Sequence, residues 1–271
     1  MLLRLLPIIC LTLGGSAACA DDQLYELGGG AEYYTLKEFN GIGDRLVREE
    51  GILPGVRLHW RERGEHITFR LDGSLSGGMI RYDGQTQSGT PHTTDGYHLL
   101  PEIGAGAEWP SQQRLRAYGR LTFAADYRYL NNKGLVAGAT EFYQRLDLGL
   151  GLTGDIWRDG NRSLTLWAAR VEPLKSIVDV YSRTGSDDLS LTLDAGKGWE
   201  AGAAYVWTSS RQRQWLLRAA CRDLRLDPSD PVPVTVNGIP NGTAVYQPEI
   251  HFHRCGLNLG VRMPLASIPA N

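Results

Sequence analysis

Beyond residue 20 the chain has no apolar run approaching the ~18 residues of a membrane-spanning helix, so a helical span is excluded. Four cysteines among 271 residues are too few for a disulfide scaffold. Lys and Arg number 28 against 30 Asp and Glu, which leaves no basic excess to draw nucleic acid. A P-loop, a dinucleotide fingerprint, zinc-spaced cysteines and interleaved basic and aromatic residues are all missing. No cofactor, no structural metal and no nucleic-acid partner is therefore expected. What is present is 42% hydrophobic residues, 21% charged residues and 33 glycines, too apolar a mixture for disorder. The length admits one large all-β domain or two small ones.

Residues 1–20 read as a secretory signal peptide: Arg4 supplies the charge, Leu5 to Leu13 the apolar core, and Ala18-Cys19-Ala20 the cleavage site. The mature chain then starts at Asp21. Cys19 also suggests a lipid anchor through Ser16-Ala17-Ala18-Cys19, although a branched apolar residue is usual where Ser16 stands. If an exported chain without a spanning helix enters a membrane, it does so as a β-barrel.

The rest of the sequence alternates with period two, the mark of strands with two unlike faces. Val56, Leu58 and Trp60 interleave with Arg57, His59 and Arg61; Leu115, Ala117, Leu121 and Phe123 with Arg116, Tyr118 and Arg120; Leu146, Leu148 and Leu150 with Arg145, Asp147 and Gly149. Residues 189–207 keep one parity from Leu189 through Leu193 to Trp207 and read as a single long strand with Lys197 as the odd member. The strand opening at Ser163 is less regular, since alternation blurs at Trp167, Ala169 and Val171. Short connections near 62–65, 110–113, 158–162 and 208–213 alternate with longer ones near 40–50, 84–96, 131–140, 173–187 and 227–247. That gives ten strands with both ends on the short-turn side, the form of an antiparallel up-and-down barrel.

Ten strands would supply more apolar bulk than a small soluble barrel can enclose, which places the apolar face outside. Trp60, Trp109, Trp157, Trp207 and Trp215 lie beside the short turns. Tyr33, Tyr34, Tyr82, Tyr97, Tyr127, Tyr129, Phe142, Tyr143 and Tyr246 lie near the long loops. Two aromatic girdles bounding an apolar band describe a transmembrane barrel.

On these features the chain resembles the small outer-membrane β-barrel proteins of Gram-negative bacteria over about 25–263. The stretch Asp83-Gly84-Gln85-Thr86-Gln87-Ser88-Gly89-Thr90-Pro91 looks like a loop of uncharacterised members of that group. The resemblance implies location in the outer membrane, contact with its lipid and lipopolysaccharide, and insertion by the barrel-assembly machinery. It divides the chain into a signal peptide at 1–20, a barrel domain at 21–263 and a short tail at 264–271. Met263 stands where such barrels usually end on an aromatic residue.

The inward face is expected to carry Arg57, Arg61, Arg70, Arg116, Arg120, Arg145, Arg218, Arg222 and Arg254 against Asp72, Glu102, Glu108, Asp126 and Asp147, with Arg128, Arg262, Glu32, Asp194 and Glu200 beside them. In a ten-stranded lumen these groups form a charge-paired plug, with a structural or surface-interaction role for the protein. The alternatives are a narrow porin-like pore that prefers anions and an enzyme sited at the rim. Rim candidates are Asp83, His92, Asp95, His98, Asp187, Asp188, His251 and His253. The proline-rich loop Pro228–Gln247 offers a surface for an extracellular ligand or caps the mouth. Cys221 and Cys255 share the outward parity and lie equally far from Gly238, so they face each other as a disulfide or as two small apolar residues in lipid.

Overall fold

The computed structural model describes residues 23–85, 89–110, 112–132, 138–181, 185–211 and 213–264. The signal peptide, the Asp21 start and the tail beyond Pro264 lie outside them. Strands follow one another as β1 (Gln23–Phe39), β2 (Arg45–Arg63), β3 (Thr68–Gln85), β4 (Pro91–Trp109), β5 (Leu115–Leu130), β6 (Thr140–Asp159) and β7 (Arg162–Tyr181). After them come β8 (Leu189–Leu193), β9 (Gly196–Thr208), β10 (Gln214–Leu226), β11 (Val232–Val236), β12 (Ile239–Val245) and β13 (Glu249–Pro264). Each barrel strand pairs antiparallel with its neighbours, β8 and β9 share one place beside β7, and β13 returns to β1. The ring is closed with ten staves, so among the described residues no barrel strand is left with an open edge to pair with another chain. A separate hairpin, β11–β12, stands in the last long loop.

The pairing register fixes the tilt. Following partners around the ring from Glu62 leads through Phe69, Ala107, Gly119, Leu150, Arg170, Trp199, Asp223, His253 and Thr35 back to β2 at Glu50, a stagger of twelve residues. At ~3.3 Å rise and ~4.8 Å strand spacing, that stagger over ten staves inclines the strands by roughly 40°. Each residue then climbs about 2.5 Å along the barrel axis.

Alternation decides what each surface meets. Ile52, Ile103 and Leu150 stand outside and are 67%, 64% and 58% exposed. Trp157, Tyr205, Trp207 and Trp215 stack in sequence on the outer surface near the short turns, with centroids 6.3, 5.6 and 6.4 Å apart. From Trp207 to Lys197 the outer face of β9 rises ten residues, about 25 Å, the height of an outer-membrane apolar band. Tyr33, Tyr97 and Tyr127 are exposed at the far edge of this belt. Lys197 is therefore an edge residue and carries little of the midplane penalty.

Five expectations are corrected. The 189–207 segment breaks at Asp194 and Ala195, and the register against β7 continues across the break while the parity changes. Leu191 and Leu193 turn inward and are buried, whereas Trp199 stays outside. A bulge at Leu174 gives β7 the matching change, because Asp147 pairs with Pro173 and Leu146 with Lys175. Asp194 sits exposed in the break and is not a lumen residue. Tyr34, Tyr82 and Tyr143 are not girdle residues; they point inward with 0%, 9% and 3% exposure. Nor is the interior uniformly polar, since Leu36, Val47, Ile80, Leu224, Ile250 and Phe252 join those tyrosines in an apolar cluster toward the long-loop end. The irregular β7 puts Trp167, Ala169 and Val171 inside. Trp167 lies against Gly202, where a Cβ would collide with the indole and with the Ala219 carbonyl, so only glycine leaves room for the ring. Finally, β3 and β4 stay paired up to Gln85 and Pro91, which shortens the loop expected over 84–96.

Candidate functional site

Inward positions two apart on neighbouring staves bring the expected charges together in tiers. Nearest the short turns, Arg61, Arg70 and Arg116 converge on Glu108 at 3.3, 3.2 and 2.9 Å, and Arg116 also reaches Asp155. Glu26 receives Arg218 at 2.9 Å and Arg262 at 2.5 Å. Asp72 pairs with His59 at 2.7 Å and Arg70 at 3.4 Å. Higher up, Arg120 and the Tyr118 hydroxyl donate to Glu200 at 2.6 and 3.1 Å. Arg254 bonds Glu102 at 2.5 Å, and Arg57 and Arg254 flank Glu32. Asp147, 1% exposed as a side chain, takes Arg222 at 2.5 Å and Arg145 at 2.9 Å.

Asp126 differs from the other acids because its partners are not arginines: Tyr34 donates to it at 3.4 Å and His98 Nδ1 lies 3.3 Å away. His98 Nε2 is 3.1 Å from Glu49, and Arg128 joins Glu49 to Glu141 and Tyr143. Sequence reading missed Glu26, Glu49, His59, Asp155 and Glu141 as members of this lattice. Parity held the signal, since Glu26 shares its face with Glu32, and Glu49 and His59 share theirs with Arg57.

A cavity of about 130 Å³ opens among Arg61, Arg116, Asp155 and Arg262 at the short-turn end, and the space left above it in the lumen is small. A cavity of about 70 Å³ lies among Glu32, Asp72, Glu102, Arg120 and Arg222, and others of about 20 Å³ lie beside Tyr34 and beside Glu26. These hold a few waters at most. The long-loop mouth has a cavity of about 550 Å³, lined by the apolar Leu46, Val47, Leu130, Leu191 and Val245 and by Glu38, Tyr82, His92, Arg128 and Glu141. Glu38 lies above the belt and accepts from the Gln247 amide at 2.9 Å. Desolvation pushes its carboxyl up to about 7, partly opposed by Arg128 and reinforced by Glu141 and Glu49.

The rim candidates for catalysis are dispersed. His98 is buried in the lattice and His92 lines the mouth cavity. Asp83 accepts from Thr93 at 3.3 Å, and His251 and His253 pair outside with Glu249 and Asp223. Asp95 joins a loop through its carbonyl, and Asp188 precedes β8. Asp187 holds the β11–β12 hairpin through Thr235, Asn237 and Gly238; those hydrogen bonds, Thr235 first, keep its carboxyl below the usual range. Among the described residues no three His, Cys, Asp or Glu are grouped to hold a metal. Cys221 and Cys255 are register partners on the outer face, Cα atoms 4.1 Å apart, joined as a disulfide.

No protein-family model matches the chain, and no curated protein sequence matches it. Among solved structures, the outer membrane protease OmpT from Escherichia coli aligns with a TM-score of 0.58 at 11% identity, covering 92% of this chain and 98% of that one. The translocator domain of the autotransporter NalP from Neisseria meningitidis aligns at 0.43 with 14% identity, over 92% and 90% of the two chains. The Pseudomonas putida toluene transporter TodX aligns at 0.34 with 10% identity, over 90% of each. At these identities the OmpT likeness speaks to fold, and the fold this chain shares with it is that of an outer-membrane β-barrel.

Proposed function

We propose that this protein is an outer-membrane barrel with a closed lumen, which serves as a structural and surface-interaction element and not as a conduit. The observation that supports this reading most is the filled interior: tiers of arginine and carboxylate surmounted by the buried cluster around Leu36, Leu224 and Phe252. An open aqueous path generally needs a wider barrel of sixteen or more strands. Surface interaction would use the long-loop end, where the mouth cavity and the β11–β12 hairpin lie. Export by the signal peptide and folding by the barrel-assembly machinery complete the reading.

Reconstitution into planar bilayers tests it. The expected result is insertion without stepwise conductance in molar KCl. Stable open-channel steps, especially with anion selectivity, would favour the narrow pore. Peptide cleavage or lipid A hydrolysis by the refolded protein would favour the enzyme.

A further inference from the structure

Glu38 and Glu141 line the mouth cavity with Arg128 and His92, among apolar side chains such as Leu46 and Val245. Arg128 bonds Glu49 and lies 2.7 Å from Glu141, so its positive charge is already shared between two carboxylates. Glu38 has no such partner. Its only hydrogen bond among the described residues comes from the neutral Gln247 amide at 2.9 Å, and neither lysine nor arginine stands within ion-pair distance. Its register partners in the sheet are buried aliphatic residues, Val47 on β2 and Ile250 on β13. A carboxyl held this way has lost water without gaining a counter-ion, and its ionisation is accordingly raised to about 7.

The other polar groups at the cavity are engaged elsewhere. Tyr82 donates to the Gln85 carbonyl at 3.4 Å and lies tilted against the His92 ring, with centroids 5.8 Å apart. Tyr143 donates to Glu141 at 3.1 Å. An anion entering here would meet Glu38 and Glu141 while the Arg128 charge is committed. A metal ion would find no group of three His, Cys, Asp or Glu among the described residues. The volume of about 550 Å³ is that of a small-molecule site. An organic ammonium ion suits both parts of the lining, with N–H donors for the Glu38 carboxylate and an apolar body for the leucine and valine side chains.

We propose that the mouth cavity binds a small primary amine with an apolar body, its ammonium group bonded to Glu38. The proposal rests on the surface-interaction reading above and gives that reading a ligand class. The ammonium donates to the ionised form of Glu38, so binding expels the carboxyl proton. Because that carboxyl is about half protonated near pH 7, uptake of an amine should release about half a proton there, and affinity should rise with pH until about 8.

Calorimetric titration of the refolded full chain with phenethylamine, phenylethanol and phenylacetate tests this, with two buffers of unlike ionisation enthalpy counting the protons. At pH 8 the amine should bind at least ~10-fold more tightly than the alcohol or the acid. Glu38→Gln should remove that preference and the proton release. Glu249→Gln, on the outer wall beside Arg225, should leave both unchanged. If the Glu38 variant does not refold, the pH profile and proton count of the native chain still decide. Equal affinity for the alcohol, tighter binding of phenylacetate, amine binding without proton release at pH 7, or equal losses in the two variants would overturn the assignment. A short lysine peptide binding more tightly than the free amine would give Glu38 to a protein segment and overturn it too. Absence of binding by every probe, in a barrel that inserts into bilayers without conductance, sinks this site alone. Stepwise conductance sinks the closed-lumen reading, while the amine titrations still decide the site.

Discussion

Leu121→Arg should destabilise the barrel in a bilayer by ~2–4 kcal/mol, because it drives a charge into hydrocarbon near the midplane. Leu121 is 46% exposed on the outer face, between Ala105 and Leu148, with no acidic side chain opposite to neutralise the newcomer. Gly149→Ser adds a polar group to the other face. A Cβ at Gly149 comes no nearer than 3.8 Å to the Arg120 carbonyl, so the lumen has room, and a cost within ~1 kcal/mol is expected. Urea titration of both variants refolded in liposomes compares them. Equal costs, or a larger cost for the serine, would mean that the two faces have been exchanged.

The second large effect concerns the lattice. Asp147→Ala leaves Arg145 and Arg222 without their shortest carboxylate contacts inside the barrel and should cost ~3–5 kcal/mol. Replacing all three together, by Arg145→Met, Asp147→Leu and Arg222→Met, should recover most of that loss, since a matched apolar set escapes desolvation. Glu102 keeps Arg254 in the triple variant, so no new carboxylate is stranded. A single-variant cost below ~1 kcal/mol would instead mark a wet lumen in which water screens the orphaned arginines. That outcome would also count against closure.

Alternation made the barrel legible because burial on one face imposes a strict period of two: Val56, Leu58 and Trp60 cannot share a side with Arg57, His59 and Arg61. The arginines and acids of the lattice followed from the same parity. The upper interior did not, and the reason is length. β2, β4, β6 and β7 run 19, 19, 20 and 20 residues, while crossing a bilayer takes about 9–11. Above the belt the barrel continues in water, where its inside becomes the only place to hide Leu36, Leu224 and Phe252. Near a long loop such residues read as girdle or loop. The parity change at Asp194 was hidden for a related reason, because Leu191 and Trp199 keep an even spacing while the backbone between them breaks. Partner identity lay further out of reach: that Asp126 meets His98 and Tyr34 depends on the twelve-residue stagger, which only the pairing register reveals.

On the proposed function, the alternating faces meet lipid outside and a sealed lumen inside. Nitroxide labels placed singly at positions 119 to 124 of β5, with Cys221 and Cys255 replaced by serine, test it in liposomes. Gly119, Leu121 and Phe123 should be open to oxygen and closed to a water-soluble nickel chelate, and Arg120, Thr122 and Ala124 closed to both. Nickel access at the even positions would contradict the sealed lumen, and oxygen access without alternation would contradict the barrel's inside-out polarity.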